Sequence, residues 1–177
     1  MHKTTLLTLG IAFAVFGFST SALADEGPHP TPSSPRIGGH LGIAVPVLTM
    51  GDRFMAIGAD FVSIGITPGV TVKLDERWSI DFEFIAMNEL KRTPAATTFI
   101  VDPGVVYNAG AVSAGLRVAT QVGAPTNVGL VPIVVLPFRL RDGLSAFIEG
   151  DVPMFLRDGG DGMQPSIGFQ FQSGIAF

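Results

Sequence analysis

The chain has 177 residues, no cysteine and a formal net charge of −4, with 47% hydrophobic but only 15% charged residues. Soluble domains usually carry about 25% charge, and disordered chains are charged and poor in Val, Ile and Phe, so this apolar, 22-glycine sequence is not a disordered protein and is unusual for a soluble one. The missing cysteines exclude thiolate zinc and iron–sulfur sites, disulfide scaffolds and cysteine nucleophiles, and a pI near 5.2 argues against nucleic acid as a partner.

His2 and Lys3 open the chain, Leu6 to Phe18 form an apolar run, and Ala22-Leu23-Ala24 make an A-x-A site before Asp25-Glu26. The pattern predicts a secretory signal peptide over residues 1–24, cut after Ala24; the run is too short to read as a membrane anchor. Residues 25–35 (DEGPHPTPSSP) hold four prolines and no apolar run, which predicts an extended, disordered tail. His29 lies in that tail, with nothing around it to complete a metal site.

From residue 36 onward the period is two. Glycine and proline are too frequent for long helices, and no run of 18 apolar residues follows. Trp78, Ile80, Phe82, Phe84 and Ala86 alternate with Ser79, Asp81, Glu83 and Ile85. Val112, Ala114, Leu116 and Val118 alternate with Ser113, Gly115, Arg117 and Ala119. Leu144, Ala146, Ile148 and Val152 alternate with Ser145, Phe147, Glu149 and Asp151, and Ile167, Phe169, Phe171, Ile175 and Phe177 share one parity. Strand side chains point to opposite faces in turn, so each segment has one apolar face and one small or polar face. Asp75-Glu76-Arg77, Asn108-Ala109-Gly110 and Arg141-Asp142-Gly143 read as tight turns. Longer connections fall near 49–60, 88–98, 123–127 and 156–166. The rhythm predicts eight strands, at 36–48, 61–74, 78–87, 99–107, 111–122, 128–140, 144–155 and 167–177. Both termini lie at the end of the three tight turns. Segments of 9 to 14 residues match tilted membrane-spanning strands.

A soluble barrel or sandwich also alternates, but its outer face needs many Lys, Glu and Thr, and the second face here is mostly Gly, Ala and Ser. Aromatics gather at the tight-turn end, where Trp78, Tyr107, Phe138 and Phe177 read as a periplasmic interfacial girdle. The fold class expected is therefore all-β, an eight-stranded antiparallel up-and-down transmembrane β-barrel over residues 36–177. Its strand count, its turn and loop rhythm and the closing segment IGFQFQSGIAF are similar to those of the small eight-stranded bacterial outer-membrane barrels, such as the OmpA transmembrane domain and OmpX. The resemblance is architectural and covers residues 36–177. It implies a cell outer-membrane location in a Gram-negative-type envelope, periplasmic termini, and contact with outer-membrane lipid and lipopolysaccharide. It also implies recognition of Phe169, Phe171, Ile175 and Phe177 by the barrel-assembly machinery. A peptidoglycan-binding domain, which full-length OmpA carries after its barrel, is not expected here. Pro46, Pro68, Pro103, Pro132, Pro137 and Pro153 depart from the pattern, because each removes a ladder donor inside an expected strand.

With the apolar face outward, the lumen receives His40, Thr71, Lys73, Asp81, Glu83, Asp102, Arg117, Gln121, Arg139, Glu149, Asp151, Gln170 and Gln172. Lys73, Asp81, Glu83, Asp102, Arg117, Arg139, Glu149 and Asp151 form the expected charge network. Glu83, Asp102, Arg117 and Glu149 fall at mid-depth around a single guanidinium, while Lys73, Arg139 and Asp81 fall lower. Two functions fit. A salt-bridged plug gives a structural, membrane-stabilising barrel, since eight strands enclose just enough room for side chains. A narrow cation-preferring pore is the alternative, because five acids face three bases. Lipid-modifying catalysis needs a nucleophile and usually a histidine near the outer rim, and His29 and His40 are both misplaced for it. No enzyme, cofactor or metal site is expected.

Overall fold

The computed structural model describes residues 35–91, 96–123, 127–158 and 160–177. The expected signal peptide, and the Pro-rich tail up to residue 34, lie outside the described residues. The strands are β1 (Arg36–Met50), β2 (Phe54–Ala56), β3 (Ser63–Lys73), β4 (Trp78–Glu89), β5 (Ala96–Asn108), β6 (Ser113–Val122), β7 (Asn127–Arg141), β8 (Leu144–Asp151), β9 (Met154–Asp158) and β10 (Met163–Ala176). All of them pair antiparallel in one sheet, and β10 returns to β1 along a register running from His40↔Ala176 to Met50↔Ile167. Gly39 and Phe177 complete that seam with two backbone hydrogen bonds of 2.8 and 2.9 Å. A sheet that closes on itself has no free edge.

β8 and β9 form a single stave. The register against β7 runs unbroken through Ile133↔Asp151 and Leu130↔Met154, with only Val152-Pro153 between the two strands. Eight staves result, as the alternation predicts. Short β2 is an addition: it folds back on the top of β1 through Leu48↔Ala56 and Met50↔Phe54, within the connection expected to be a plain loop. β1, β9 and β10 also run further toward the loop end than the alternation indicates, and they raise the wall on that side.

The prolines fall at interruptions of the ladder. Pro46 sits at the β1–β10 register shift. Pro68 lies in the gap between Ile66↔Ala86 and Gly69↔Glu83, and Pro103 lies in the gap between Val101↔Thr120 and Gly104↔Arg117. Pro132 stands opposite the Val152-Pro153 break, so two prolines share one interruption, and the Pro132 carbonyl still accepts the Val152 N–H at 3.0 Å. Pro137 lies beyond Ser113↔Val135, where β6 has already ended. Each missing donor thus coincides with an interruption of the ladder or a strand end, not with the middle of a regular pairing.

The tight turns sit where glycine and Asp signals place them. Asp75 Oδ1 accepts the N–H groups of Trp78 and Arg77, each at 2.7 Å. These two bonds, Trp78's first, hold the Asp75 carboxyl below the ordinary carboxylate range. The cap is therefore complete above the ordinary carboxylate range and is lost only as pH falls through the lowered value of the folded state.

Outside, Ile43, Ile66, Ile80, Phe82, Val105, Leu116, Val134, Ile148 and Phe171 are all exposed. Such a continuous apolar wall is unstable in water and matches a bilayer interior. Inside, polar residues fill the half near the tight turns. Ala119, Val131, Ile133 and Phe155 fill an apolar layer nearer the loops. Arginine at Ile148, on the lipid face, is expected to cost about 2–4 kcal/mol near the midplane. Arginine at Ser145, on the inner face near the turn end, should cost less. Urea unfolding of both variants in lipid vesicles checks the order, and an equal cost would contradict the assignment of faces.

Candidate functional site

The polar half of the lumen centres on Arg117. Its Nε and Nη2 donate to Asp81 Oδ2 at 3.1 and 2.8 Å. Nη1 donates to Glu83 Oε2 at 3.0 Å and to Glu149 Oε1 at 2.7 Å. One guanidinium from β6 thereby joins two carboxylates on β4 to a third on β8, across the barrel. Around it, Thr71 Oγ1 donates to Asp81 Oδ1 at 2.7 Å, and Gln172 Nε2 donates to Glu83 Oε1 at 2.5 Å. His40 Nε2 lies 3.1 Å from Glu83 Oε1, with its ring edge-on to Phe147 at 6.0 Å. Gln170 Nε2 donates to Asp151 Oδ2 at 2.8 Å. Glu83 is 0% exposed, Arg117, Asp81 and Glu149 3% each, and Asp102, Asp151 and Gln172 1% each, so these side chains are almost wholly withdrawn from solvent.

The register explains how such distant side chains meet. Asp81, Gly104 and Arg117 form one row across β4, β5 and β6. His40, Gly69 and Glu83 form a second row across β1, β3 and β4. In both rows a long side chain reaches an acid two strands away by lying over a glycine. A Cβ built on Gly104 would stand 2.6 Å from Arg117 Cγ and 2.6 Å from the Leu116 carbonyl oxygen, and one on Gly69 would enter the His40 ring. The two rows converge on Asp81 and Glu83.

Two members of the expected network sit elsewhere, and a third, Asp102, lies in the lumen but off the guanidinium. Arg139 is outside the lumen, exposed, and paired with Asp142 in the adjacent turn. The cause is that β7 outruns β6 past Val135, so residues 136–141 line no enclosed space. Lys73, the last residue of β3, is exposed at the rim, one inward-facing position beyond the Thr71↔Asp81 pair, where its ammonium keeps its water. Asp102 is buried in the lumen but makes no bond to Arg117; its Oδ1 has no partner. Asp102 lies opposite Glu83, one inward step above the row of Arg117, and Asp81 takes the place expected for it. Asp81, expected lower in the barrel, is a principal ligand of the guanidinium. The girdle residues are at the turn end: Trp78, Phe138 and Phe177 are exposed, and Trp78 packs on Tyr107 with ring centroids 4.9 Å apart. On the terminal strand, Phe169 meets Phe171 edge to face at 4.8 Å.

With this architecture in hand, a comparison with solved structures is decisive for the fold. Ail, the attachment invasion locus protein of Yersinia pestis, superposes with a TM-score of 0.50 at 11% identity, over 81% of this chain and 99% of Ail. The fold is that of the small outer-membrane β-barrels. Two further barrels match at lower score: OprG of Pseudomonas aeruginosa (TM-score 0.48, 9% identity, 81% of this chain and 95% of OprG) and AlkL (0.49, 9%, 88% and 96%). No protein-family model and no curated protein matches the sequence. Identities this low carry the barrel architecture and nothing about ligands.

Among the described residues, no group of three or more acidic or histidine side chains is arranged to hold a metal ion. What the layer does is hold charge in place. Removing one side of a buried ionic cluster typically costs about 3–5 kcal/mol. Arg117→Ala is therefore expected to lose that much in urea unfolding in lipid vesicles, whereas a loss below about 0.5 kcal/mol, the level of an exposed pair, would mean that water already solvates the layer. Gly104→Ala and Gly69→Ala are expected to cost about 1–3 kcal/mol by overpacking. Gly150→Ala, whose added Cβ meets nothing within 4 Å, should cost neither stability nor yield.

Proposed function

We propose that this chain is an integral outer-membrane β-barrel with a structural, membrane-stabilising role and a lumen sealed by the Arg117 layer. The observation that carries the reading is the near-complete exclusion of solvent from Arg117, Asp81, Glu83 and Glu149, bonded across the lumen from β4, β6 and β8. An eight-stranded barrel is narrow enough for side chains to fill. Opening it means separating a guanidinium from three carboxylates at once. His40 is engaged within the layer, far from the loop end, and we read the chain as non-catalytic.

A cation-preferring pore is the second reading, favoured by one observation. Among the described residues, Asp81, Glu83, Asp102, Glu149 and Asp151 are buried with Arg117 and His40 as the buried basic side chains, and Asp102 Oδ1, Asp151 Oδ1 and Gln172 Oε1 are left without donors. Planar-bilayer recording separates the two. The sealed barrel is expected to give no resolved current steps at neutral pH, and Arg117→Ala is expected to give cation-selective steps. Stable wild-type openings would replace the plug with the pore.

The aromatic turn end and the Phe177 seam support periplasmic termini and recognition of the terminal strand by the barrel-assembly machinery. Single cysteines at Leu90 and Asp161, at the loop end, are expected to label on intact cells, and a cysteine at Ala109 is not. The reverse pattern would invert the topology. Phe177→Asp is expected to lower the yield of heat-modifiable, folded barrel, because it places a charge on the closing strand. Unchanged assembly would remove the terminal residue from that role.

A further inference from the structure

The loop end of the lumen holds a second polar site that the Arg117 layer does not use. A cleft of about 360 Å3 opens between the raised β1–β2 hairpin and the β9–β10 hairpin, with Arg53, Arg157, Asp52, Thr49, Gln164 and Ser166 in its walls. It is part of the barrel mouth rather than of the outer wall. Thr49 pairs with Gly168, and Arg157 with Gln164, on the parity that also turns Gln170, Gln172 and Phe155 inward. Phe155 closes the apolar layer below, and the Arg157 guanidinium carbon stands 5.5 Å from the centre of its ring. That stacking holds the cation at the mouth and restricts the rotamers it would otherwise have to give up on binding.

Among the described residues, neither Arg53 nor Arg157 has a carboxylate within ion-pair distance. Asp158, next to Arg157, spends Oδ1 on the N–H of Gly160. Two arginines therefore line the cleft with one carboxylate, Asp52, in its walls. The surplus is positive in a protein whose lumen below is strongly acidic, so the mouth and the interior select opposite charges.

Guanidinium forks match oxyanions. A phosphate monoester carries close to two charges at neutral pH and three terminal oxygens, enough for both forks, whereas a single carboxylate satisfies one. The volume lies at the small end of ligand pockets and exceeds what a bare phosphate fills. The hydroxyls of Thr49 and Ser166 and the amide of Gln164 supply further hydrogen bonds of the kind a sugar uses, beside an apolar wall from Met55 and Pro165. We propose that this cleft binds a phosphorylated sugar, through Arg53 and Arg157. The same chemistry exists free in solution and on the phosphorylated headgroup of a glycolipid.

Calorimetric titration of the refolded barrel with glucose 6-phosphate, and with glucose as the uncharged comparison, tests the site. The phosphorylated sugar is expected to bind at least about tenfold tighter, the worth of one charge-assisted hydrogen bond. Arg157→Gln and Arg53→Gln are each expected to lose about that factor. Arg139→Gln, at the opposite end, should leave binding unchanged, and heat-modifiability reports folding in every variant. Equal affinity for both sugars, no saturable binding, or full binding by the Arg53→Gln/Arg157→Gln double variant would overturn the proposal. Repeating the titration in phosphatidylcholine vesicles with and without phosphorylated lipid A disaccharide assigns the source. Loss of the soluble probe's binding identifies the glycolipid, and its persistence identifies a free sugar phosphate. The titration does not depend on which way the barrel faces. Labelling at Asp161→Cys reports that separately, so a failed topology and a failed site give different results.

Discussion

A single guanidinium shared by three carboxylates organises the interior of this barrel. Arg117 is as buried as the aliphatic residues around it, and its hydrogen bonds to Asp81, Glu83 and Glu149 offset its desolvation. Each of those acids comes from a stave that is not a neighbour of β6, so the interaction ties the sheet across its diameter rather than along its hydrogen-bond ladder. A backbone ladder alone fixes the distance between adjacent strands. Bonds across the lumen fix the cross-section, and they do so where a bilayer outside offers no polar partner.

The layer exists only because the backbone makes way for it. Gly69 and Gly104 occupy the middle positions of two cross-strand rows, and long side chains lie over both. The prolines act in the other direction, as places where the ladder is already interrupted. Pro132 and Pro153 share one gap, which lets an eight-residue strand and a five-residue strand behave as one stave without a change of register. A closed barrel thus tolerates proline when the lost donors are pooled. Charge is also divided along the axis, with acidic side chains in excess around Arg117, an apolar layer above them, and Arg53 and Arg157 at the mouth.

Much of the outer design was legible from residue order. The alternation of Trp78, Ile80, Phe82 and Phe84 with Ser79, Asp81 and Glu83 determined which face meets lipid, because a strand reverses its side chains at each step. Turn chemistry at Asp75, Gly110 and Gly143 determined the strand count, and the scarcity of charge determined that the outer face was not meant for water. The inward direction of Arg117, Glu83, Glu149 and Asp151 followed from the same parity. These are local properties: each depends on a residue and its near neighbours in the chain.

Which inward residues touch was decided by the tertiary structure alone. Pairing across the lumen depends on shear, and shear accumulates from stave to stave in a way no single segment records. For that reason Asp81 rather than Asp102 holds the guanidinium, and His40 joins the cluster from a strand at the seam. Arg139 and Lys73 share the inward parity but stand beyond the enclosed height of the barrel. Arg53 and Arg157 lie about a hundred residues apart in the chain, and only the raised hairpins at the β1–β10 seam bring them to one cleft. Parity is a property of one strand, whereas depth and partnership are properties of the closed sheet.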